Sequence, residues 1–339
     1  MEVRQGMLQE KSKKNLSIAA LLLVAILWGL GYSAVQNALD GGWSSLGIMV
    51  AKGVVGGGIC LLLSFKEKWW REPKLIKGAL ISGFFTFLGY YAQTEGQLRT
   101  SIPNCAFFTA INVILVPFIA AIFFKSRIDK KFIIAAFIAL IGIGLLNYDG
   151  STIKLGIGDL LNFAGAICFA IQIAYIGQLS KYDKPFGLAG MQLMVMGILA
   201  LIIVPFFPNQ SHFSTGGLIG IIYVTLISAC LAYIIQGIAE KHVNETVSGV
   251  LLAQESTFGT MFSIIFYNSP ITWQLLTGGG IVLFAVLLCC VNFKSIHQKI
   301  RYKKAKKEQE KHSLEIEKIN NDEKNESDKI ITEKNNESK

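Results

Sequence analysis

Residues 89–128, GYYAQTEGQLRTSIPNCAFFTAINVILVPFIAAIFFKSRI, decide the fold, because residues 232–271, AYIIQGIAEKHVNETVSGVLLAQESTFGTMFSIIFYNSPI, repeat their pattern at a constant offset of 143 positions. Each copy reads as an apolar helix that ends in polar residues, a short turn, and a second apolar helix. Positions that carry the same residue in both copies include Tyr90/Tyr233, Gln93/Gln236, Ile122/Ile265, Phe123/Phe266, Ser126/Ser269 and Ile128/Ile271. A unit written twice in so apolar a chain predicts a two-fold pseudo-symmetric membrane protein.

The composition places most of the chain in lipid. Of the 339 residues, 52% are hydrophobic and 16% are charged, and the mean hydropathy is +0.47, which is too apolar for an ordinary soluble protein. The net charge of +9 would also suit a nucleic-acid-binding protein, but the basic residues lie in short loops and a tail around apolar runs. That distribution is typical of membrane orientation, so we expect membrane lipids and no nucleic acid as partners.

Ten apolar stretches approach the length of about 20 residues that a bilayer-spanning helix needs. They lie at residues 17–36, 44–64, 75–97, 102–123, 131–148, 156–179, 186–206, 216–238, 246–267 and 272–292. The first also resembles a signal peptide, since Lys11, Lys13 and Lys14 precede it. The spans that follow favour an uncleaved first helix, so we predict an all-α integral membrane protein with ten transmembrane helices.

The basic residues predict the orientation of these spans. Lys and Arg cluster at the N-terminus, in every second loop, and after the last span, whereas the alternate loops hold only Arg99 and Lys154. By the positive-inside rule, both termini are cytoplasmic and the protein is a multi-pass protein of the cell membrane. Five spans in each half then give the halves inverted topology, which in transporters supports alternating access to a site between the halves.

The domain organisation follows from these spans. We expect a cytoplasmic N-terminal segment over residues 1–16, a first five-helix repeat over 17–148, a second repeat over 156–292, and a charged tail over 293–339. The tail is rich in Asn, Glu and Lys and has little apolar periodicity, so we predict a disordered cytoplasmic segment. Its first basic residues are expected to lie against anionic lipid headgroups.

Small residues predict close contacts between helices. Gly53 and Gly57 in the second span have the spacing of such a contact, which suits packing within one bundle or, as the alternative, a homodimer interface. The six cysteines fall in or beside apolar runs without metal-ligand spacing, and we interpret them as small buried hydrophobic residues. No motif for a metal, a cofactor or a catalytic centre is present, so we expect no enzyme.

Several motifs join this architecture to a known family. Trp28-Gly29 followed by Gly31 in the first span, the GDLL sequence at 158–161 and Pro117 in the fourth span resemble the EamA-like branch of the drug/metabolite transporter superfamily. Lys52 stands where many members have Arg, and the Gly-Glu-Arg often found after the fourth span reads KSR at 125–127, with NSP at the matching 268–270. The resemblance implies export of amino acids or other small metabolites.

Two ionisable residues fall near the middle of predicted spans. Lys52 lies in the second span and Glu255 in the ninth, where a charge is costly without a partner or a water-filled cavity. We hypothesise that Lys52 binds an anionic group of the solute, such as a carboxylate. Glu255 then provides its counter-charge, carries a coupling proton, or binds a solute amine. The alternative is a fixed ion pair between the two that only orients helices.

Further polar and aromatic residues complete the predicted substrate site. Asn112 matches Glu255 at the repeat offset. The others are Trp28, Tyr90, Gln93, Tyr233, Gln236 and Gln254. Each of these also suits a helix-to-helix hydrogen bond or simple packing. Because every histidine lies in a loop or the tail, a coupling proton would use Glu255 or Glu95, although Glu95 also suits an interfacial charge beside Arg99.

Two classes of function fit these features. The first is a secondary transporter that exports a small solute such as an amino acid across the cytoplasmic membrane by alternating access. The second is a membrane scaffold or lipid-handling protein that has the same fold and transports nothing. Ionisable groups within the spans favour the first class, because a scaffold has little use for charge in lipid.

Overall fold

The computed structural model describes residues 2–125, 130–148, 150, 154–179, 182–207, 214–243, 251–252 and 254–290, and these are mostly helical. The helices are α1 (Glu2–Asp40), α2 (Ser45–Glu67), α3 (Pro73–Gln97), α4 (Ile102–Ala110), α5 (Asn112–Phe124), α6 (Lys130–Leu146), α7 (Ile157–Leu179), α8 (Pro185–Phe206), α9 (Leu218–Ala239), α10 (Glu255–Tyr267) and α11 (Trp273–Cys290). The predicted tail at 293–339 lies outside the described residues, as do positions 126 and 127 of the departing motif.

The lengths and compositions of these helices confirm a multi-pass helical membrane protein. Within the described ranges, six helices are long and apolar enough to cross a bilayer: α1, α2, α3, α7, α8 and α9. The apolar helices α4 and α5 form a seventh candidate that is bent by 41°, and α6 and α11 contain shorter apolar segments. The ninth predicted span falls partly outside the described residues, and the total of ten crossings stays a prediction.

The repeat that the sequence predicts at an offset of 143 is visible in two helices. Helix α5 begins at Asn112, and α10 begins at the matching Glu255; both helices are 13 residues long. Both end at a residue in the left-handed conformation, Lys125 with φ of 55° and Asn268 with φ of 50°. The equivalent helices therefore start and stop at equivalent positions.

Helix packing also repeats when the two halves are exchanged. Helix α3 packs on α7, and its counterpart α9 packs on α1; α5 packs on α7, and its counterpart α10 packs on α1. Helices α2 and α8 are counterparts that pack on each other, and so are α6 and α11. This pattern is what a two-fold pseudo-axis through the bundle produces.

Glycines allow α2 and α8 to approach closely. A Cβ atom on Gly53 would lie 2.3 Å from the Cα of Gly197, and one on Gly57 would lie 2.7 Å from the backbone nitrogen of Met194. The small-residue spacing in α2 therefore serves packing within the chain, as the bundle interpretation expects. A homodimer stays a prediction.

Two helices depart from α-helical geometry where they meet. Ala51–Gly56 in α2 and Tyr223–Leu231 in α9 are π-helical, and the two segments pack on each other. A Cβ on Gly56 would lie 2.9 Å from the carbonyl oxygen of Thr225, so the backbones are in close contact. π-Helical turns frequently mark functional sites, and the one in α2 contains Lys52.

Candidate functional site at the pseudo-axis

The ammonium group of Lys52 lies inside the bundle on an aromatic ring. Its side chain is 3% exposed, and Nζ lies 3.5 Å from the ring centroid of Tyr90. Among the described residues, no carboxylate lies within ion-pair distance of this nitrogen. A cation on a ring face gains electrostatic attraction while its N–H groups stay available to another acceptor.

Tyr90 contacts its own counterpart from the other half. Its hydroxyl lies 3.1 Å from the hydroxyl of Tyr233, which stands 143 positions later. Two equivalent groups related by a two-fold axis can touch only if they lie on either side of that axis. The tyrosine pair therefore marks the pseudo-axis, and Lys52 lies beside it.

Each tyrosine also meets one large aromatic side chain edge-on. Trp28 of α1 contacts Tyr233 with a centroid separation of 5.5 Å, and Phe169 of α7 contacts Tyr90 at 5.1 Å. Trp28 is held by a 2.9 Å hydrogen bond from its Nε1 to the carbonyl oxygen of Ser228. Phe169 was absent from the predicted site, and the repeat does not indicate it, because Trp28 matches Ile171 at the offset of 143.

The equivalent glutamines beyond the tyrosines make different contacts. Nε2 of Gln93 donates to the hydroxyls of Thr109 at 3.0 Å and Tyr32 at 3.3 Å, and so joins α3, α4 and α1. Nε2 of Gln236 donates to Glu240, at 2.9 Å, one turn later in sequence. The structure thus ties the Gln93 side to neighbouring helices and leaves the Gln236 side within its own helix.

Glu255 is the first residue of α10 and lies near the same tyrosine pair. The residue is partly buried, and its carboxyl group lies within electrostatic range of the hydroxyls of Tyr32, Tyr90 and Tyr233. It makes no ion pair with Lys52 among the described contacts, so the two residues flank the tyrosines from separate helices. The fixed ion pair considered as an alternative is not formed in this structure.

Helices α5 and α10 begin at equivalent positions of the repeat. Asn112 starts α5 just after the 41° bend from α4 and is 8% exposed, and Gln254 precedes Glu255 at the start of α10. Pro117 lies in the second turn of α5, where its ring removes a backbone donor and favours such a bend. The positive ends of two helix dipoles are therefore located inside the protein.

Glu95 has neighbours that suit a fixed charge. One carboxylate oxygen accepts from the guanidinium of Arg99 at 2.6 Å, and the other accepts from the hydroxyl of Ser45 at 2.6 Å. Glu95 is 6% exposed. The structure places it beside Arg99 as the sequence suggested, but away from the described contacts of the tyrosine pair.

A narrow cleft reaches Tyr233 from one end of the bundle. It is lined by residues of α7, α8 and α9 that include Leu179, Lys184, Gln192, Tyr233, Gln236 and Glu240. The centre of a water molecule can move through only about 20 Å³ of it, so it admits water and excludes a metabolite. Tyr233 is the member of this lining that also bonds to Tyr90.

Comparison with known proteins agrees with this arrangement. The sequence profile of the EamA-like transporter family matches residues 15–148 and again residues 156–291. An uncharacterized transporter of Archaeoglobus fulgidus is 26% identical over 280 residues, which cover 82% of this chain and 87% of that protein. The biotin transporter of Escherichia coli K12 is 21% identical over 282 residues, or 80% of this chain and 91% of that protein.

A crystal structure of a protein with 12% identity aligns over 82% of this chain and 96% of its own length, with a TM-score of 0.60. That likeness shows a shared fold. The family profile covers more than half of the chain in two consecutive matches, one for each predicted repeat. The chain therefore belongs to the EamA-like transporter family, and it is a multi-pass membrane transporter.

Proposed function

We propose that this transporter moves a small metabolite with a carboxylate group, such as an amino acid, out of the cell by alternating access between two inverted five-helix halves. The halves are residues 17–148 and 156–292, and both termini are cytoplasmic. The solute binds at the tyrosine pair, where Lys52 receives its carboxylate. The proposed substrate site further includes Trp28, Tyr90, Gln93, Asn112, Tyr233, Gln236, Gln254 and Glu255.

The observation that carries this proposal is the ammonium group at the pseudo-axis, which has no ion-pair partner in the described part of the chain. A buried charge in a membrane protein is costly unless it is paired or reached by water or substrate. Lys52 is 3% exposed and contacts the face of Tyr90, yet no described carboxylate neutralises it. An incoming carboxylate would provide that missing charge and accept its N–H donors.

The N-termini of α5 and α10 also favour a solute with a negative charge. The N-termini of α5 and α10 place partial positive charge inside the bundle, next to Asn112 and Glu255. Discontinuous helices of this kind bind anionic solute groups in other transporter folds. Biotin, named for the Escherichia coli relative, also carries a carboxylate, which fits a site selected for that group.

Glu255 is the better candidate for proton coupling. Among the residues that the structure describes it has no ion-pair partner, whereas Glu95 is bonded to Arg99 and Ser45. A carboxyl group without a permanent counter-charge can gain and lose a proton as the solute comes and goes. Glu255→Gln removes the titrating group while keeping the shape of the side chain.

Transport by purified protein in liposomes tests the site. We expect uptake or counterflow of at least one carboxylate solute from a panel of amino acids and vitamins. Lys52→Ala should reduce it about 100-fold or more, because a charged hydrogen bond contributes about 1.5–3 kcal/mol and the buried site would also lose its charge balance. Lys52→Arg should retain part of the activity, since the cation is kept.

The alternative is a scaffold that transports nothing. Under it, the panel would show no flux above empty liposomes, and Lys52→Ala would behave as the unaltered protein in every assay. Transport that persists unchanged in Lys52→Ala would remove Lys52 from the site. Glu255→Gln should abolish accumulation driven by a pH gradient; unchanged accumulation would move the coupling elsewhere.

A further inference from the structure

We propose that the hydrogen-bonded pair of Tyr90 and Tyr233 is a gate that separates Lys52 from the cleft between α7, α8 and α9. The pair must part each time a solute passes between the cleft and Lys52. This proposal rests on the transport function above and adds a specific step to it. It does not depend on which carboxylate solute is carried.

The order of contacts along the path supports this role. Tyr233 lines the inner end of the cleft, and its hydroxyl meets that of Tyr90 at 3.1 Å. On the other side of this hydrogen bond, Nζ of Lys52 lies 3.5 Å from the centroid of the Tyr90 ring. Neither Tyr90 nor Lys52 lines the cleft. A solute that enters there therefore reaches Tyr233 before it can reach the ammonium group.

The position on the pseudo-axis explains why this contact can open. Tyr90 belongs to the first half and Tyr233 to the second, so their hydroxyl contact joins the halves at the line around which they are related. A rotation of one half against the other changes this contact directly. A single neutral hydrogen bond has a small net strength and exposes no unpaired charge when it breaks.

The two sides of the pair differ in how firmly they are closed. On the Gln93 side, bonds to Thr109 and Tyr32 join three helices, and Nε2 of Gln97 donates to the carbonyl oxygen of Tyr32 at 2.8 Å. On the Gln236 side, the equivalent glutamine bonds within its own helical segment and lines the cleft. Opening the tyrosine pair would therefore connect Lys52 to the cleft end and leave the other end shut.

A reporter cysteine at position 52 tests the gate without requiring transport. The six native cysteines are replaced by alanine, Lys52→Cys is introduced, and its modification by a charged, membrane-impermeant thiol reagent is timed from each face of sealed membranes. We expect slow modification from the cleft face while both tyrosines are present. Tyr233→Ala should accelerate it about tenfold or more from that face only, because the ring that fills the path is removed.

Removing only the hydroxyl groups tests the hydrogen bond itself, because both rings are kept. Tyr90→Phe and Tyr233→Phe each remove the same hydrogen bond, so each should accelerate modification by about two- to tenfold. The double variant should be no faster than either single variant, because the bond can be lost only once. Accelerations that multiply in the double variant would show separate roles for the hydroxyls and overturn the gate.

Tyr91→Ala is the matched control. Tyr91 neighbours Tyr90 in α3 but stacks on Phe87 in the same helix at a centroid distance of 6.1 Å. The Tyr91→Ala substitution should leave the rate of thiol modification at position 52 unchanged. Equal rates in Tyr233→Ala and Tyr91→Ala would refute the gate.

The gate and the proposed substrate site can fail separately. Fast labelling in Tyr233→Ala together with normal transport by Lys52→Ala would keep the gate and reject Lys52 as the binding residue. Unchanged labelling together with lost transport in Lys52→Ala would reject the gate and keep the binding site.

Discussion

At the centre of this transporter, Lys52 is both buried and able to bind an acceptor. Lys52 is nearly inaccessible, yet an aromatic face holds its charge and leaves its donors available. Glu255 lies in another helix and forms no ion pair with Lys52. Gly29 makes this arrangement possible, since α1 and α10 approach so closely there that a Cβ atom would lie 3.0 Å from the carbonyl oxygen of Glu255.

Gly29→Ala is predicted to destabilise the protein and impair transport together. The added Cβ would lie 2.5 Å from the Cβ of Phe258 and 2.9 Å from the backbone nitrogen of Gly259, so α10 must move outward with Glu255. Overpacking of this kind costs about 1–3 kcal/mol. Thermal unfolding in detergent, followed by tryptophan fluorescence, should show a lower midpoint.

Gly280→Ala is the control for that change. It adds the same methyl group in helix α11, at a site with nothing within 4 Å of the new atom. Since alanine favours helix over glycine, this variant should be as stable as the unaltered protein or more stable. A Gly29→Ala protein that unfolds at the same temperature as Gly280→Ala would contradict the close packing of α1 on α10.

At the scale of elements, helix ends are joined by side chains from other helices. The carboxylate of Glu67 at the end of α2 accepts from the backbone N–H groups of Phe186 at 3.1 Å and Gly187 at 2.7 Å. Nζ of Lys184 also donates to the carbonyl oxygen of Glu67 at 2.6 Å. An acidic side chain at this end of α8 satisfies backbone donors and complements the helix dipole.

Glu67→Ala is therefore predicted to lower stability by about 1 kcal/mol, the usual effect of losing a helix cap. Glu72→Ala offers a comparison, because Glu72 precedes α3 but makes no side-chain cap bond there. Thermal midpoints of both variants in detergent check the difference. Equal midpoints would mean that the Glu67 cap contributes nothing measurable to the packing of α2 on α8.

At the scale of the whole molecule, the two halves meet along α2, α3, α8 and α9. Cys60 of α2 and Cys230 of α9 lie in this region with their sulfur atoms 3.1 Å apart, and both are buried. They belong to different halves. The sequence interpretation of cysteines as small buried residues fits both, but it did not indicate that they face each other.

Cross-linking these two cysteines is predicted to arrest transport. With copper(II)–phenanthroline as a membrane-permeant oxidant, the two thiols lose two protons and two electrons as the disulfide forms; each of two Cu(II) ions takes one electron, and dissolved oxygen reoxidises the copper. If the halves must move against each other, flux should fall to background and return after dithiothreitol. The Cys60→Ala variant, treated identically, should keep its flux. Full activity of the cross-linked protein would argue against movement at this interface.

The sequence by itself determined the helical membrane class and the repeat. Runs of apolar residues can satisfy their backbone groups in lipid only as helices, and the offset of 143 located equivalent helix boundaries at Asn112 and Glu255. It also singled out Tyr90, Tyr233 and Lys52. These conclusions need only local chemistry and periodicity.

Only the tertiary structure decided which of these residues meet. Hydropathy shows that a polar residue lies within a helix, but the partner depends on the rotation and separation of neighbouring helices, which contacts such as Gly53 on Gly197 set. The tyrosine pair across the pseudo-axis, Lys52 on the Tyr90 ring and Phe169 beside Tyr90 all follow from that packing.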